Sequence, residues 1–368
     1  MEFQSEKKKV LILSSMPQKR LTEEFEKRDW VAETKDPNEF YAYLSDKLGY
    51  DRIYERSEGV GHRITLKEYS AVVPRISGRG FGYGLLVLDQ INRNLGIFST
   101  ASSYGLEACS VKFNTSQLLS RHKIRVPRQI LAHKLTDFKE AIEKVGGLPV
   151  IVKLQKGSQG AGVFKLRDEV EASQSLRALR YASADLILQQ TIDSGKPAND
   201  LRIWVIGAYL DEPKVIAYKR YALDSDFRSN YSISGSGEKV EITEEEKSMA
   251  IKAAQALRMH IAGVDIMRDS KDNNKPYLIE VNGNPGLSGV EAITGENVAG
   301  EVAQFVIDNY KKDDSSKRSL SLYLESAKRT IQEVMNGTRK GSGSVQALAA
   351  LKLLEMDLND DPYIKTLM

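Results

Sequence analysis

The chain has 368 residues, more than one hydrophobic core usually serves, so two or three packed lobes are expected. Charged residues nearly cancel to a net charge of +3, which leaves no global electrostatic basis for a nucleic-acid partner, and the single cysteine, Cys109, excludes an internal disulfide and a thiolate zinc cluster. No apolar run approaches the roughly 20 residues of a membrane span, and MEFQSEKKKVLILSS has too short an apolar core for a signal peptide, so a soluble cytoplasmic protein with no membrane partner is expected.

Residues 1–110 read as an α/β lobe. KVLILSS (9–15) has the pattern of a buried strand, EFYAYLSDKLGY (39–50) that of a helix, and SAVVPRIS (70–77) that of a strand ending at Pro74-Arg75-Ile76. The Gly-rich GRGFGYG (78–84) then opens the helical pattern LLVLDQINRNLG. It does not form a dinucleotide fingerprint in a compact strand-turn-helix unit and reads as a loop with a substrate-facing rim.

A second unit, 111–192, starts with a helix around FNTSQLLSRHK, a turn at VPRQI, the helix TDFKEAIEKVGG and the strand LPVIVKL. That strand runs into a glycine-rich hairpin, KGSQGAGVFKL, followed by a helix and the strand ADLILQQ. A third unit, 193–311, alternates the strands LRIWVIG and EPKVIAYKRY with the helix EEEKSMAIKAAQALRMH. It ends on HIAGVDIMR and KPYLIEVN, which the turn residues of SKDNNKP predict to be an antiparallel hairpin. The remainder, 312–368, changes character. A charged linker precedes LSLYLESAKRTIQEVM, which places Leu320, Leu324, Ala327, Ile331 and Val334 on one helical face, and then the apolar helix VQALAALKLLEM. These helices are expected to dock on the body or to make a homo-oligomer contact.

The chemistry centres on IEVNGNPGL (279–287). Side chains at i and i+2 of a strand leave the same face, so Glu280 and Asn282 point at one spot before the chain breaks into Gly-Asn-Pro-Gly. The hairpin brings Asp265 beside them, and two carboxylates with an amide suit Mg2+, or Mn2+, which retains waters and shares phosphate oxygens. Each residue alone would read as an ordinary group at a strand end. Together they predict a metal site with a nucleotide nearby.

KLQKGSQGAGV (153–163) is the candidate phosphate cradle. It is not the P-loop pattern, but Gly157, Gly160 and Gly162 allow close backbone approach to an anion, and inward-facing Lys153 needs one. Arg220 and Arg228 offer a guanidinium fork for carboxylate or phosphate, with a charged surface loop as the alternative. The four histidines are scattered without ligand spacing, and no hydrolase template is present.

In this order the pieces resemble the ATP-grasp ligases, and within them the RimK family of glutamate ligases that extend a carboxyl terminus. IVKLQKGSQGAGV is similar to the family's glycine-rich signature, DFRSNYSISG to its arginine segment, and AGVDIM with LIEVNGNPGLSGVE to its metal strands. The similarity runs from the amino terminus to about Tyr310, through PRI near 75 and VKFNTSQLL near 112. It implies an α/β and α+β ATP-grasp fold: a pre-ATP-grasp domain at 1–110, a central lid subdomain at 111–192, a metal-bearing C-terminal subdomain at 193–311, and a helical extension at 312–368.

The resemblance also implies roles. Lys112, Lys153 and Gly157, Ser158, Gln159, Gly160 and Gly162 would hold ATP phosphates, and the backbone at Gln190, Thr191 and Ile192 would read adenine. The family usually carries Glu where this chain has Gln190. Asp200 would lie beside the nucleotide, and Arg75, Arg202, Arg228 and Asn230 would face the substrates. Asp265, Glu280 and Asn282 would hold the metal. Tyr221 stands where relatives often carry a second arginine.

The implied reaction moves the γ-phosphoryl group onto a carboxylate, because a bare carboxylate is a poor acylating agent, and an amine then attacks the acyl phosphate. Arg220 is the candidate for stabilising the oxyanion. Glutamate is the expected amino acid, and a peptide or protein C-terminus or a small molecule the carboxylate acceptor. A peptide or cofactor biosynthesis ligase and a non-catalytic Mg-ATP-binding regulator are the alternatives on the same fold.

Overall fold

The computed structural model describes residues 7–44, 52–56, 62–64, 68–94, 96–133, 138–155, 162–181, 185–222 and 236–311. Residues 1–312 constitute one compact unit. Gly157, Ser158, Gln159, Gly160, Arg228, Asn230 and the extension at 312–368 lie outside the described residues.

The N-terminal sheet is parallel, with β1 (Lys9–Leu13), β2 (Val31–Lys35), β6 (Ala71–Pro74) and β7 (Phe98–Ser99) in the order β2-β1-β6-β7. Its central strand shows why parallel strands read as continuous apolar runs. Val10 and Ile12 enter one buried cluster, while Leu11 and Leu13 enter another on the opposite face. Helices α1 (Lys19–Glu26), α2 (Phe81–Asp89) and α3 (Ser103–Ser110) accompany this lobe.

The helix expected from Phe40 onward is corrected by the structure. Residues 40–43 form β3 (Phe40–Tyr43), paired antiparallel with β4 (Arg52–Glu55), which pairs with β5 (His62–Ile64). Aromatic side chains suit a pleated, half-buried surface: Phe40 is buried, and the Tyr41 ring stacks on Tyr54 with centroids 5.1 Å apart.

A second sheet, antiparallel, orders β10 (Val163–Leu166), β9 (Val150–Leu154), β11 (Leu186–Gln190) and β8 (Gln129–Ala132). Helix α4 (Lys112–Arg121) precedes it, and α5 (Phe138–Val145) and α6 (Glu169–Tyr181) cover one face. Val150, Val152, Leu186 and Leu188 pack there against Ala141, Val145 and Leu176. Alternation therefore turns Ile151 and Lys153 to the other face.

The third sheet orders β14 (Gly237–Lys239), β13 (Lys214–Tyr221), β12 (Asn199–Ile206), β15 (Ile261–Asp269) and β16 (Lys275–Asn282), all antiparallel. Leu201, Ile203, Val205, Val264 and Ile266 share a buried cluster with Met249, Ala250 and Ala253 of α7 (Glu244–Ala256), whose N-terminus carries a Thr243–Glu246 capping box. The expected β15–β16 hairpin is present, and Asn273 and Asn274 take φ of 50° and 56° in its turn, a left-handed conformation that asparagine tolerates. Two helices close the unit, α8 (Leu287–Thr294) and α9 (Val298–Asn309). Among the described residues no helix is long and apolar enough to cross a membrane.

Candidate active site

Strand register builds the site. Arg202 on β12 stands opposite Tyr218 on β13 and Asp265 on β15, and Asp265 stands opposite Glu280 on β16. Tyr218, Arg202, Asp265 and Glu280 thus form one row across four strands. Asp200 and Arg220 are paired beside it on one side, and Gly263 and Asn282 on the other.

The β15–β16 pairing shifts between Asp265 and Ile266, so that Asp265 pairs with Glu280 and Ile266 with Leu278, leaving Ile279 as the extra residue of a bulge. Strict alternation would put positions 278 and 281 on opposite faces. The bulge lets Leu278 and Val281 both enter the core while Glu280 and Asn282 reach the cleft.

Four charges on this face, Asp200, Arg202, Arg220 and Asp265, are tightly paired. Arg220, 3% exposed, donates from Nε to Asp200 Oδ1 at 2.8 Å, and its Nη2 contacts both Asp200 Oδ2 and, at 3.1 Å, Asp265 Oδ2. Arg202 donates from Nη2 to Asp265 Oδ2 at 3.0 Å and from Nε to Oδ1. Burial opposes ionisation of Asp265, but the guanidiniums of Arg202 and Arg220 outweigh it and hold the carboxyl below its usual range. Burial also disfavours the Arg220 charge, which Asp265 and Asp200 restore and raise.

Opposite this sheet lie two lysines. Burial depresses the Lys153 ammonium to about 8, against the pull of the Glu280 carboxylate, and depresses Lys112 in the same way. Lys153 makes no ion pair among the described residues, so its charge is one that a bound anion would complete.

Between the second and third sheets runs a cleft of about 700 Å3. Lys112, Lys153, Thr191, Ile192, Asp200, Arg202, Arg220, Asp265, Glu280 and Asn282 all line it. Three other residues singled out from the sequence do not. Gln190 alternates outward, and its Oε1 accepts from the Arg128 backbone N–H at 3.3 Å and from Arg128 Nε at 3.2 Å. Gly162 sits at the hairpin end with φ +74°, where an added Cβ would come within 2.7 Å of Leu154 Cδ1. Arg75 donates from Nη1 to the Pro285 carbonyl at 2.8 Å and from Nε to Gln18 Oε1 at 3.3 Å, beside a separate cavity of about 20 Å3 behind the Gly283–Pro285 segment.

The structure adds residues to the cleft that the sequence reading passed over. Gln189, buried, faces in where Gln190 faces out; the parity of β11 carries that signal. Tyr218 precedes Arg220 by two positions on one strand and shares its face. Cys109 also lines the wall, and burial pushes its thiol up to about 12, with the Glu280 charge adding to the shift.

The donor set fits a hard divalent cation. Glu280 is solvent-facing with no hydrogen bond or ion pair among the described residues, and Asp265 and Asn282 offer oxygens on the same face. The guanidiniums now on Asp265 hold the negative charge that a cation would take.

The arrangement of two sheets facing across a polar cleft has counterparts among solved structures of ATP-grasp proteins. The ligase PsnB, solved with a phosphomimetic variant of a minimal precursor, Mg and ADP, matches 83% of this chain and 99% of its own at a TM-score of 0.62 and 16% identity. A RimK domain ATP-grasp protein from Sphaerobacter thermophilus matches 81% and 99% at a TM-score of 0.53 and 17% identity. These likenesses define the fold as ATP-grasp.

The RimK-like ATP-grasp domain model matches residues 109–306. A probable alpha-L-glutamate ligase of Shewanella sp. (strain W3-18-1) is 33% identical over 308 residues, 83% of this chain and 97% of the relative. One of Halorhodospira halophila is 37% identical over 246 residues, 67% of this chain and 78% of the relative. The chain therefore belongs to the RimK-like ATP-grasp family and is a ligase.

Proposed function

We propose that this ligase uses ATP and Mg2+ to join an amino acid, glutamate in the first instance, to the carboxyl terminus of a peptide or protein through an acyl phosphate. The observation that carries the reading is the row Arg202–Asp265–Glu280, with Arg220 beside it, facing Lys153 and Lys112 across one cleft. The names of the curated relatives support glutamate, and the precursor peptide PsnA2 with which PsnB has also been solved supports a peptide acceptor.

Lys153, Lys112 and the 157–162 loop neutralise and orient the polyphosphate. The backbone from Gln190 to Ile192 meets the base, with Asp200 nearby. Asp265, Glu280 and Asn282 hold the metal, which when bound disperses charge on the phosphate oxygens. Arg202, Arg228, Asn230 and Arg75 serve the substrate side, Arg75 by fixing the Pro285 carbonyl. Arg220 stabilises the oxyanion formed when the amine attacks, a role worth about 3 to 4 kcal/mol for one donor.

Mass spectrometry tests this directly: the protein is incubated with Mg-ATP, each amino acid singly, and a panel of peptide carboxyl termini, with ADP and phosphate quantified. A peptide mass gain of one residue with matching ADP is expected. ADP formation with small-molecule acids alone would move the acceptor to a biosynthetic carboxylate, and nucleotide binding without ADP or a mass shift on any acceptor would count against the proposal.

A further inference from the structure

Arg202 and Asp265 at the centre of the site row pair with each other, whereas neither residue that ends the row, Glu280 or Tyr218, makes a hydrogen bond among the described residues. Tyr218 is 3% exposed, lines the cleft, and makes no hydrogen bond among the described residues. Its ring is buried while its hydroxyl opens onto the cleft, and a tyrosine hydroxyl at such an edge usually finds a partner. The nearby carboxylates are already engaged: Asp265 by Arg202 and Arg220, and Asp200 by Arg220. With those carboxylates taken, a ligand oxygen in the cleft is the partner that would replace water on this hydroxyl.

The row tells which part of the ligand. Tyr218 lies three strand spacings from Glu280, roughly 14 Å, beyond a metal at the Asp265–Glu280 end, but only one spacing from Arg202. Asp265 and Asp200 balance the two guanidiniums there. A cation on Asp265, however, would take the carboxylate that pairs Arg202, and a guanidinium so released beside a phenol favours an anionic oxygen. Burial raises the phenol, so it remains a protonated donor at neutral pH.

We propose that Tyr218 is a further substrate-binding residue, whose hydroxyl donates to a substrate carboxylate held by Arg202 and Arg220 at the β13 end of the cleft. This rests on the ligase reading above. The phenol and the guanidiniums select a carboxylate by charge and by hydrogen-bond direction, so this end of the cleft discriminates acidic substrates from amides or alcohols of the same shape.

The test is calorimetric titration of L-glutamate, and separately of glutarate, into the full chain saturated with Mg2+ and a non-hydrolysable ATP analogue. Tyr218→Phe keeps the ring and removes only the donor. Its nucleotide affinity should stay within about 2-fold of wild type, which also reports that the variant is folded. Its affinity for both acids should fall about 10-fold or more, the effect of losing a hydrogen bond to a charged group. Glutarate lacks the ammonium, so a parallel loss assigns the effect to the carboxylate. Equal affinity of variant and wild type for both acids overturns the inference, as does failure of the nucleotide-loaded wild type to bind either. Failure of the wild type to bind nucleotide removes the ligase reading, and this inference with it.

Discussion

Asp265 and Glu280 stand opposite each other on adjacent strands, yet their side chains have different surroundings. Asp265 is buried under two guanidiniums, whereas Glu280 is exposed and unpaired among the described residues. Glu280→Gln should therefore leave thermal stability within about 0.5 kcal/mol of wild type while lowering Mg2+-dependent turnover about 100-fold. Asp265→Asn should lose turnover and also about 3 kcal/mol of stability, because it strands buried positive charge. Denaturant melts and ADP release on the two variants separate these outcomes; full activity in Glu280→Gln would remove this residue from the metal site. Lys153 supplies the pH dependence. Its ammonium is depressed to about 8 by burial, so in the free protein it loses its proton as pH rises through that value. Nucleotide binding should favour the charged form, take up a proton near pH 8, and weaken above it. Calorimetry in buffers of different ionisation enthalpy should detect the uptake, and Lys153→Met should abolish it. The same linkage runs the other way for folding: a lysine depressed by burial lowers stability below about pH 8, a loss relieved as pH rises toward 10.5.

At the scale of elements, helix α1 is joined to α8 and α9 by half-buried and exposed polar contacts. Arg20 reaches Glu291 at 3.0 Å and Asn297 at 3.0 Å, and Arg28 reaches Gln304 at 3.2 Å. Glu24, buried in α1, is the hub. Burial opposes its ionisation, but hydrogen bonds from Lys27 and Arg28, each at 2.7 Å, win and hold its carboxyl down at about 2. A depressed carboxyl stabilises the fold above its unfolded value near 4.5, and the contribution is lost as pH falls toward 2. Glu24→Gln should cost about 1 to 3 kcal/mol at pH 7, a gap that narrows between pH 4.5 and 3 in urea titrations. An unchanging gap would assign the cost to packing. Sequence periodicity located most of the strands and helices of the second and third sheets, because each alternates or repeats against one core. It missed β3, where a short aromatic segment fits both templates until its partner strands are known.

For the whole molecule, residues 1–312 form one compact unit that contains every described residue of the cleft. A chain ending at Lys312 is expected to keep nucleotide affinity within about 2-fold, and, if the extension makes the oligomer contact, to sediment as a smaller species than the full chain. Loss of folding on truncation would make 313–368 part of the core. The sequence by itself determined the ligand chemistry and its strand placement: Glu280 and Asn282 share a face because strand side chains repeat every two residues, and Lys153 faces the cleft because Val150 and Val152 must face the core. Only the tertiary structure decided the rest. Which residues stand opposite each other depends on inter-strand register, and no local pattern encodes that register across the long connections from β12 to β15. The bulge at Ile279, the clamp of Arg202 and Arg220 on Asp265, and the unpartnered phenol of Tyr218 all follow from that register. The sequence therefore names the chemical groups, and packing of the sheets sets the distances that make them a site.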